Sequence, residues 1–232
     1  MDAIEDFKKQ MPCGVPSAGI PPLAPLKTQH QEINIDNEAL TAFGEANNVF
    51  LYGLDDFDIL EFKLNAILSR INFLFNWNKI LAQADYEVFS EMSNKGLKRE
   101  GAAKMTFKDL LVKGSIKYNL GVISRKITLK EVKIYVSLGE VKSEIGGLSK
   151  INIINKKLNR LIEEWIMLAI NDNTDNFAEI TNNMVVPFVN EMLKDMTISD
   201  LLGMAGGSGG DPTEKVPCVP PTDNTDYMKY FM

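Results

Sequence analysis

Histidine is nearly absent from this chain, and its scarcity excludes several kinds of catalytic site. The 232 residues include one histidine, His30, so neither a histidine-rich metal site nor a catalytic triad built on another histidine can form. We interpret His30 as a surface residue next to a strand. The sequence also lacks a Gly-x-Ser-x-Gly nucleophile motif and a phosphate-binding glycine pattern. We therefore expect no enzymatic activity, no cofactor and no metal.

Positive charge and long apolar runs are also scarce, which excludes two classes of partner. The chain has 31 acidic and 25 basic residues, a net charge of -6, and no basic stripe of the kind that binds nucleic acid. Its apolar stretches are too short and interrupted for stable membrane insertion. The polar start at residues 1–6 predicts no signal peptide. The chain is then either cytosolic or a mature form with an added start methionine.

The two cysteines, Cys13 and Cys218, lie near opposite ends of the sequence. Two cysteines are too few for a disulfide framework. Neither belongs to a CxxC motif or a Cys/His cluster, so we expect no metal binding and no thiol redox chemistry. The residues alone leave open whether the two thiols pair or remain free.

Alternation of apolar and polar residues dominates from about residue 30 to residue 145. It is clearest over residues 71–77, 82–88, 116–122 and 132–138. A period of two with one polar face predicts an antiparallel sheet that is wet on one side. Long strands of this kind must twist and curve. Turns are predicted at residues 94–96 and 100–101.

Helical periodicity is confined to the ends of this strand-like region. Residues 2–11 predict a short amphipathic helix. A long helix is predicted after Ser149, its N-cap, with an apolar core-facing stripe of Ile154, Leu158, Leu161, Ile162, Trp165, Ile166 and Ala169. We interpret Glu163 and Glu164 as its wet face. A helix over residues 174–196 contains Pro187, which predicts a kink or a join. Residues 171–173 form either a break or part of one bent helix.

Three further segments are defined by composition. The acidic cluster of Asp55, Asp56, Asp58 and Glu61 lacks the spacing of a calcium loop, so we interpret it as a solvated turn. Four prolines make residues 14–26 extended. Residues 203–232 are rich in glycine and proline and predict a flexible tail, which leaves one domain over residues 1–202.

Residues 14–26 read Gly-x-Pro-x-x-Gly-Ile-Pro-Pro-Leu-x-Pro-Leu. This segment closely resembles the N-terminal signature of the insect juvenile hormone-binding protein and takeout family. Residues 53–59 resemble a strand start of that family, and residues 145–148 and 185–188 resemble the related mite group 7 allergens. The resemblance covers roughly residues 4–196. It implies an α+β fold of the tubular lipid-binding superfamily, in which a highly curved antiparallel β-sheet wraps a long helix in one elongated, rolled domain.

The resemblance also implies a function. It points to a secreted protein, here in mature form, that transports a juvenile hormone-like terpenoid, a fatty acid or another lipid in an internal tunnel. Tyr86, Tyr118, Tyr135 or Trp165 could orient the ligand. The expected lining residues are Phe57, Phe62, Phe73, Phe75, Trp77, Tyr86, Phe107, Tyr118, Ile134, Val136, Trp165, Ile166, Met184, Phe188 and Met192.

Plain core packing is the simpler explanation for each of these side chains taken singly. The alternative function is therefore an allergen-like interaction protein with a filled core, whose surface binds a protein partner or a microbial lipid. In either case we expect a monomer, with a receptor as a further partner of the carrier.

The cysteines depart from the family pattern. The family usually has a disulfide within its N-terminal region, whereas this chain has only Cys13 there, outside the family's usual cysteine positions. The tail that carries Cys218 is also unusual. We therefore hypothesise a bridge between Cys13 and Cys218.

Overall fold

The computed structural model describes residues 2–14, 21–36, 41–92, 95–121, 126–194 and 218–219. Within these ranges the secondary structure follows the predicted order of a short helix, a run of long strands and two helices. The elements are α1 (Asp2–Gln10), β1 (Leu26–Asp36), β2 (Thr41–Tyr52), β3 (Phe57–Asn65), β4 (Arg70–Met92), β5 (Lys95–Leu120), β6 (Ile127–Ile145), α2 (Asn152–Asn171) and α3 (Thr174–Leu193).

The strands form one antiparallel sheet in the order β1-β2-β4-β5-β6, and β3 pairs with the first half of β4. Strand β4 pairs with β5 from one end of β4 to the other, from Arg70 opposite Lys117 to Met92 opposite Lys95. Of the turn predicted at residues 94–96, Lys95 and Gly96 instead belong to β5, and Asn94 lies outside the described residues.

The turn predicted at residues 100–101 is wrong, because β5 runs straight through it. Gly101 pairs with Tyr86 inside the ladder. A Cβ at Gly101 would lie 2.6 Å from the carbonyl oxygen of Gly146. The glycine thus permits a close backbone approach within a strand, which is the other common use of glycine in sheets.

The apolar face of the sheet changes phase partway along its central strands. On β6 the buried side chains are Val132 and Leu138 in the first half, and Val141 and Ile145 in the second. Their numbering changes from even to odd, although the pairing of β6 with β5 stays in register from Lys117 to Ala103. The alternation of buried and exposed side chains along β6 therefore skips one residue, while the pairing register between β5 and β6 does not shift.

This skip lies on a line across three strands, at Asn78, Asp109 and Gly139. Asp109 has a left-handed backbone with φ 53°. A Cβ at Gly139 would lie 2.9 Å from the Cβ of Asp109, so glycine is needed opposite it. Irregularities of this kind bend strands and increase twist. Aligned across neighbouring strands, they give the large antiparallel sheet its curl.

Helices α2 and α3 lie along β6 and satisfy the backbone of that edge strand with polar side chains. Three asparagines bind a strand residue twice, with the amide oxygen accepting from its N–H and the amide nitrogen donating to its carbonyl: Asn159 with Ile145, Asn171 with Leu138 and Asn190 with Leu129. Two further side chains accept one strand N–H each: Glu163 from Ser143 and Asn182 from Val132. We call these five helical residues the polar ridge.

The spacing of the polar ridge shows how the strand and the helices run together. Asn159 and Glu163 are four residues apart, and Asn171 lies eight residues further on. Each step of four residues turns roughly 40° beyond a full helical turn. The edge strand β6 therefore coils around α2 as it passes along it.

Several helix predictions need correction. The N-cap of α2 is Ile151, which makes no side-chain hydrogen bond to the helix, so the prediction of Ser149 as N-cap is wrong. The Oγ of Ser149 instead accepts a hydrogen bond from the N–H of Ile151 at 3.1 Å. Glu163 is not on a wet face, because it belongs to the polar ridge.

Of the alternatives for residues 171–173, the break is confirmed. A join at Pro187 is wrong, because α3 continues through it. The predicted helix end at residue 196 lies outside the described residues.

The N-terminal segment is held by two connections. The N–H of Leu23 donates to the carbonyl of Met11, a buried residue at the end of α1, at 2.8 Å. Cys13 and Cys218 form a disulfide, as hypothesised, with their Cα atoms 5.8 Å apart. Residues 15–20 of the proline-rich segment and most of the tail lie outside the described residues, so the domain boundary at residue 202 stays a prediction.

Candidate functional site

An aromatic cluster covers one face of the sheet where β3 meets β4. The ring of Phe57 lies 4.9 Å from that of Trp77 and 5.1 Å from that of Phe75, measured between centroids. Phe73 stacks on Phe75 at 4.9 Å. These four rings come from paired strands, since Phe57 lies opposite Trp77 in the ladder. The structure thus brings together four of the predicted lining residues.

A bulge on β3 adds Phe62 to this face. Phe57 and Ile59 pair with Trp77 and Phe75, the register then slips by one, and Phe62 pairs with Phe73. The extra residue is Leu60, which is exposed. Because directly paired residues point to the same face, the bulge keeps all the β3 aromatics on the side of the cluster.

The cluster continues onto β5 and β6 through cross-strand rows. Phe75 lies opposite Val112, which lies opposite Val136. Phe73 lies opposite Gly114, and Gly114 lies opposite Ile134. A Cβ at Gly114 would be 2.1 Å from the Phe73 ring, so the ring lies directly over this glycine. Ile134 and Val136 therefore share the face of the aromatic cluster, as predicted.

Helix α1 closes one end of the cluster. The Lys8 ammonium donates to the carbonyl of Phe57 at 2.6 Å and lies 4.7 Å from the centre of its ring. Phe57 is only 5% exposed, and the indole N–H of Trp77 donates to the carbonyl of Leu54 at 2.9 Å.

The acidic cluster lies just before and within β3. Burial raises the pKa of Asp55 above its ordinary value, and a backbone hydrogen bond partly offsets this effect. The turn prediction holds for the exposed Asp56, whose N–H donates to the carbonyl of Gly53 at 3.2 Å, whereas Asp55 is half-buried. The prediction is wrong for Asp58 and Glu61, which lie in β3.

The apolar stripe of α2 is only partly packed, whereas the sequence predicts a core-facing stripe: Leu158, Ile162, Ile166 and Ala169 are half-buried. Trp165 is 53% exposed and Leu161 59%; Ile154 on the same stripe is exposed as well, and so is Leu168 outside it. The only buried residue of α2 is polar, Asn159 of the ridge. Because the ridge occupies the edge of β6, the stripe is turned away from that strand.

The other predicted lining residues are dispersed. Tyr86 and Phe107 lie beyond the bend line; the Tyr86 hydroxyl donates to the carbonyl of Gly146 at 2.6 Å, and burial raises its pKa. Tyr118 pairs with Leu129 near the end of the sheet. Ile166 is half-buried on α2. The side chains of Met184, Phe188 and Met192, all on α3, lie outside what the structure describes.

Sequence reasoning missed the residues that set the geometry of this site. The polar ridge, Lys8 and Gly114 were not singled out. A signal for the ridge was present in Asn155, Asn159 and Glu163, three polar residues at four-residue spacing in a helix. No comparable signal marked Lys8 or Gly114, because their roles depend on contacts distant in sequence.

Other kinds of site find little support in the described part of the chain. None of its helices is both long and apolar enough to cross a membrane. In the same residues, no group of three or more His, Cys, Asp or Glu side chains is placed to hold a metal ion. His30 is exposed, as predicted, and its ring lies 3.1 Å from the side-chain oxygen of Asn47.

Comparison with known proteins identifies the family. A family model described as haemolymph juvenile hormone binding protein matches residues 1–203. The chain belongs to this family. The match confirms the resemblance found at residues 14–26. The haemolymph juvenile hormone binding protein model ends one residue beyond the predicted domain boundary at residue 202.

Two solved structures are similar over most of the chain. Takeout 1 of Epiphyas postvittana has a TM-score of 0.49 and 13% sequence identity, and the match covers 82% of this chain and 84% of that one. A lipopolysaccharide binding protein has a TM-score of 0.37 and 10% identity over 80% of this chain. The match spans 37% of the length of that protein. A search of curated protein sequences found no match.

Proposed function

We propose that this protein transports a hydrophobic small molecule in an internal chamber and catalyses no reaction. The exposed apolar stripe of α2 carries this proposal. Trp165 and Leu161 lie on an ordered helix, yet each is more than half exposed. An apolar ligand that covered them would gain roughly 25 cal/mol for each Å² removed from water. Membership in a family named for hormone binding supports the same function.

In this proposal the curled sheet wraps α2, so that the stripe and the aromatic cluster bound one chamber. Its walls would be mostly aliphatic and aromatic, which suits a long terpenoid or acyl chain with few polar groups. Of the predicted anchors, Tyr86 already donates to Gly146. Tyr135 is on the opposite face of β6 from Ile134 and Val136. Trp165 and Tyr118 therefore remain as the candidate anchors.

The proposed place of action is outside the cell. The disulfide between Cys13 and Cys218 is of a kind that persists in oxidising compartments. The family description, with its reference to haemolymph, agrees with a secreted carrier.

Native mass spectrometry of the purified protein, followed by organic extraction, tests the proposal. We expect a co-purifying lipid, and a fluorescent fatty acid that binds the extracted protein and is displaced by unlabelled apolar ligands. Leu161→Gln should weaken this binding at least tenfold, because it places an amide against the ligand. Val219→Gln changes another highly exposed apolar residue, outside α2, and serves as the control.

Failure of a broad panel of apolar ligands to bind at micromolar concentration would contradict the carrier function. That result would favour the alternative, an interaction protein with a filled core whose surface binds a protein partner or a microbial lipid.

A further inference from the structure

The hairpin between β3 and β4 ends in an exposed apolar tip. Ile67 is 95% exposed, Leu68 64% and Leu64 61%. The turn itself is well formed, since the Asn65 side chain accepts a hydrogen bond from the N–H of Leu68 at 2.9 Å. Clusters of exposed apolar side chains mark interaction sites more often than isolated ones do. We call Leu64, Ile67 and Leu68 the apolar tip.

The apolar tip adjoins the ends of β5 and β6. The N–H of Tyr118 on β5 donates to the carbonyl of Ser69 in the hairpin turn at 3.0 Å. Arg70, directly after the turn, lies opposite Lys117 in the sheet, and Lys117 lies opposite Glu131 on β6. The tip is therefore part of one end of the sheet and not an isolated loop.

The end of α3 reaches the same region. The N–H of Leu129 on β6 donates to the side chain of Asn190 at 2.7 Å, and the Lys126 ammonium donates to the carbonyl of Lys194 at 2.6 Å. We define the basic end as the described residues 60–71, 113–121, 126–133 and 190–194.

This basic end has a charge opposite to that of the whole chain. Its basic residues are Lys63, Arg70, Lys113, Lys117, Lys126, Lys130, Lys133 and Lys194, and its acidic residues are Glu61, Glu131 and Glu191. Eight positive charges thus face three negative ones, in a chain of net charge -6. Ion pairs join Glu61 to Lys63, Glu131 to Lys117 and Lys133, and Glu191 to Lys194, so an excess of five positive charges lies at the same end of the sheet as the apolar tip.

We infer that the basic end docks on an anionic phospholipid bilayer, with the apolar tip inserted at the boundary between headgroups and acyl chains. Apolar side chains that enter this boundary and a surrounding ring of lysines are the two features that hold peripheral proteins on anionic membranes. Each lysine near such a surface strengthens binding about fivefold, and salt screens the effect.

The shape of the basic end favours a membrane over a protein partner. A stable protein interface buries about 800 Å² on each side against a complementary surface. Here three apolar side chains protrude from one hairpin, and the lysines are spread over three strands and a helix end. A deformable surface with diffuse negative charge matches that arrangement.

The inference goes beyond the proposed carrier function and does not depend on it. If both are correct, the protein would collect or deliver its ligand at a membrane. The two can fail separately, because Leu161 on α2 belongs to the proposed chamber and Ile67 does not.

Flotation with lipid vesicles tests the inference on the full-length, disulfide-bonded protein. We expect it to float with vesicles of phosphatidylcholine and phosphatidylserine at low salt, and to remain unbound with phosphatidylcholine alone or in 0.5 M salt. Ile67→Asp should reduce binding to the anionic vesicles at least tenfold. Val219→Asp, the same change at another highly exposed apolar residue, should bind as the original protein does.

A second pair of variants tests the charge. Lys130 is an exposed lysine on β6 at the basic end, and Lys157 is an exposed lysine near the start of α2. Lys130→Gln should weaken vesicle binding about fivefold, whereas Lys157→Gln should leave it unchanged. Circular dichroism of each variant confirms that the fold is retained, which is expected because the altered side chains are exposed.

An insertion measurement completes the test. In Ile67→Trp, lipids brominated along their acyl chains should quench the new indole, beyond the quenching of the original protein. Failure of the original protein to float with anionic vesicles would overturn the inference. Binding that survives Ile67→Asp unchanged would overturn it as well, as would recognition of a soluble protein through the tip without any vesicle binding.

Discussion

Replacing Asn159 tests whether the polar ridge holds α2 against the edge of the sheet. Its amide oxygen accepts from the N–H of Ile145 at 2.8 Å and from the Ser143 hydroxyl at 2.9 Å, and its amide nitrogen donates to the Ile145 carbonyl at 3.0 Å. In Asn159→Ala the Ile145 carbonyl keeps a donor, the side chain of Asn155 at 2.9 Å. Ser143 keeps its bond to Glu163. Only the buried N–H of Ile145 loses its partner.

One orphaned buried donor costs about 1–3 kcal/mol. Alanine has a higher helix propensity than asparagine, which offsets roughly 0.5 kcal/mol of this. We therefore expect Asn159→Ala to lower the free energy of unfolding by about 1.5 kcal/mol and the Tm by about 3–6 °C. Asn159→Asp keeps an acceptor for the N–H but places a carboxylate against the Ile145 carbonyl, so it should be at least as destabilising.

Urea denaturation followed by circular dichroism measures the loss. The matched control is Asn183→Ala, the same substitution at an exposed position of α3. It should be neutral or slightly stabilising, because only helix propensity changes. If Asn159→Ala and Asn183→Ala differed by less than about 0.5 kcal/mol, the reasoning about the orphaned N–H would be refuted.

Two further predictions concern charge and the disulfide. Hydrogen bonds from Lys117 and Lys133 lower the pKa of Glu131 from 4.5 to about 2, so the stability it contributes is present above pH 4.5 and is lost as the pH falls towards 2. The Tm difference between the original protein and Glu131→Gln should therefore shrink over that range, and a constant difference would contradict the coupling. Alkylation without reduction, followed by intact mass measurement, should modify no thiol in the original protein and one thiol in Cys218→Ser. Two thiols alkylated in the original protein without reduction would contradict the bond between Cys218 and Cys13.

Much of the sheet could be predicted because alternation is a local property of the sequence. The apolar residues Ile71, Phe73, Phe75 and Trp77 have odd numbers, and the next apolar run on β4 has even ones. The phase change at the bend was thus visible in the sequence. Its alignment with Asp109 and Gly139 was not, because it depends on the register between strands.

The aromatic part of the site could be predicted from composition and spacing, but not the way it is closed. Phe73 can lie over β5 only because residue 114 has no side chain. Lys8 reaches Phe57 from the first helix, 49 residues away in the sequence. Neither relation follows from a local pattern.

The apolar stripe of α2 is only partly buried, and this has a physical reason. A stripe of Leu, Ile and Trp on a helix is normally its packed face, because burial of apolar area dominates stability. Here the helix packs against an edge strand, whose N–H and C=O groups have no neighbouring strand on that side. Burying these groups without hydrogen-bond partners is costly, so they favour a polar helix face. Asparagine satisfies both groups at once, as Asn159 and Asn171 do. The helix therefore gives its polar ridge to the sheet, and Leu161 and Trp165 of its apolar stripe stay exposed.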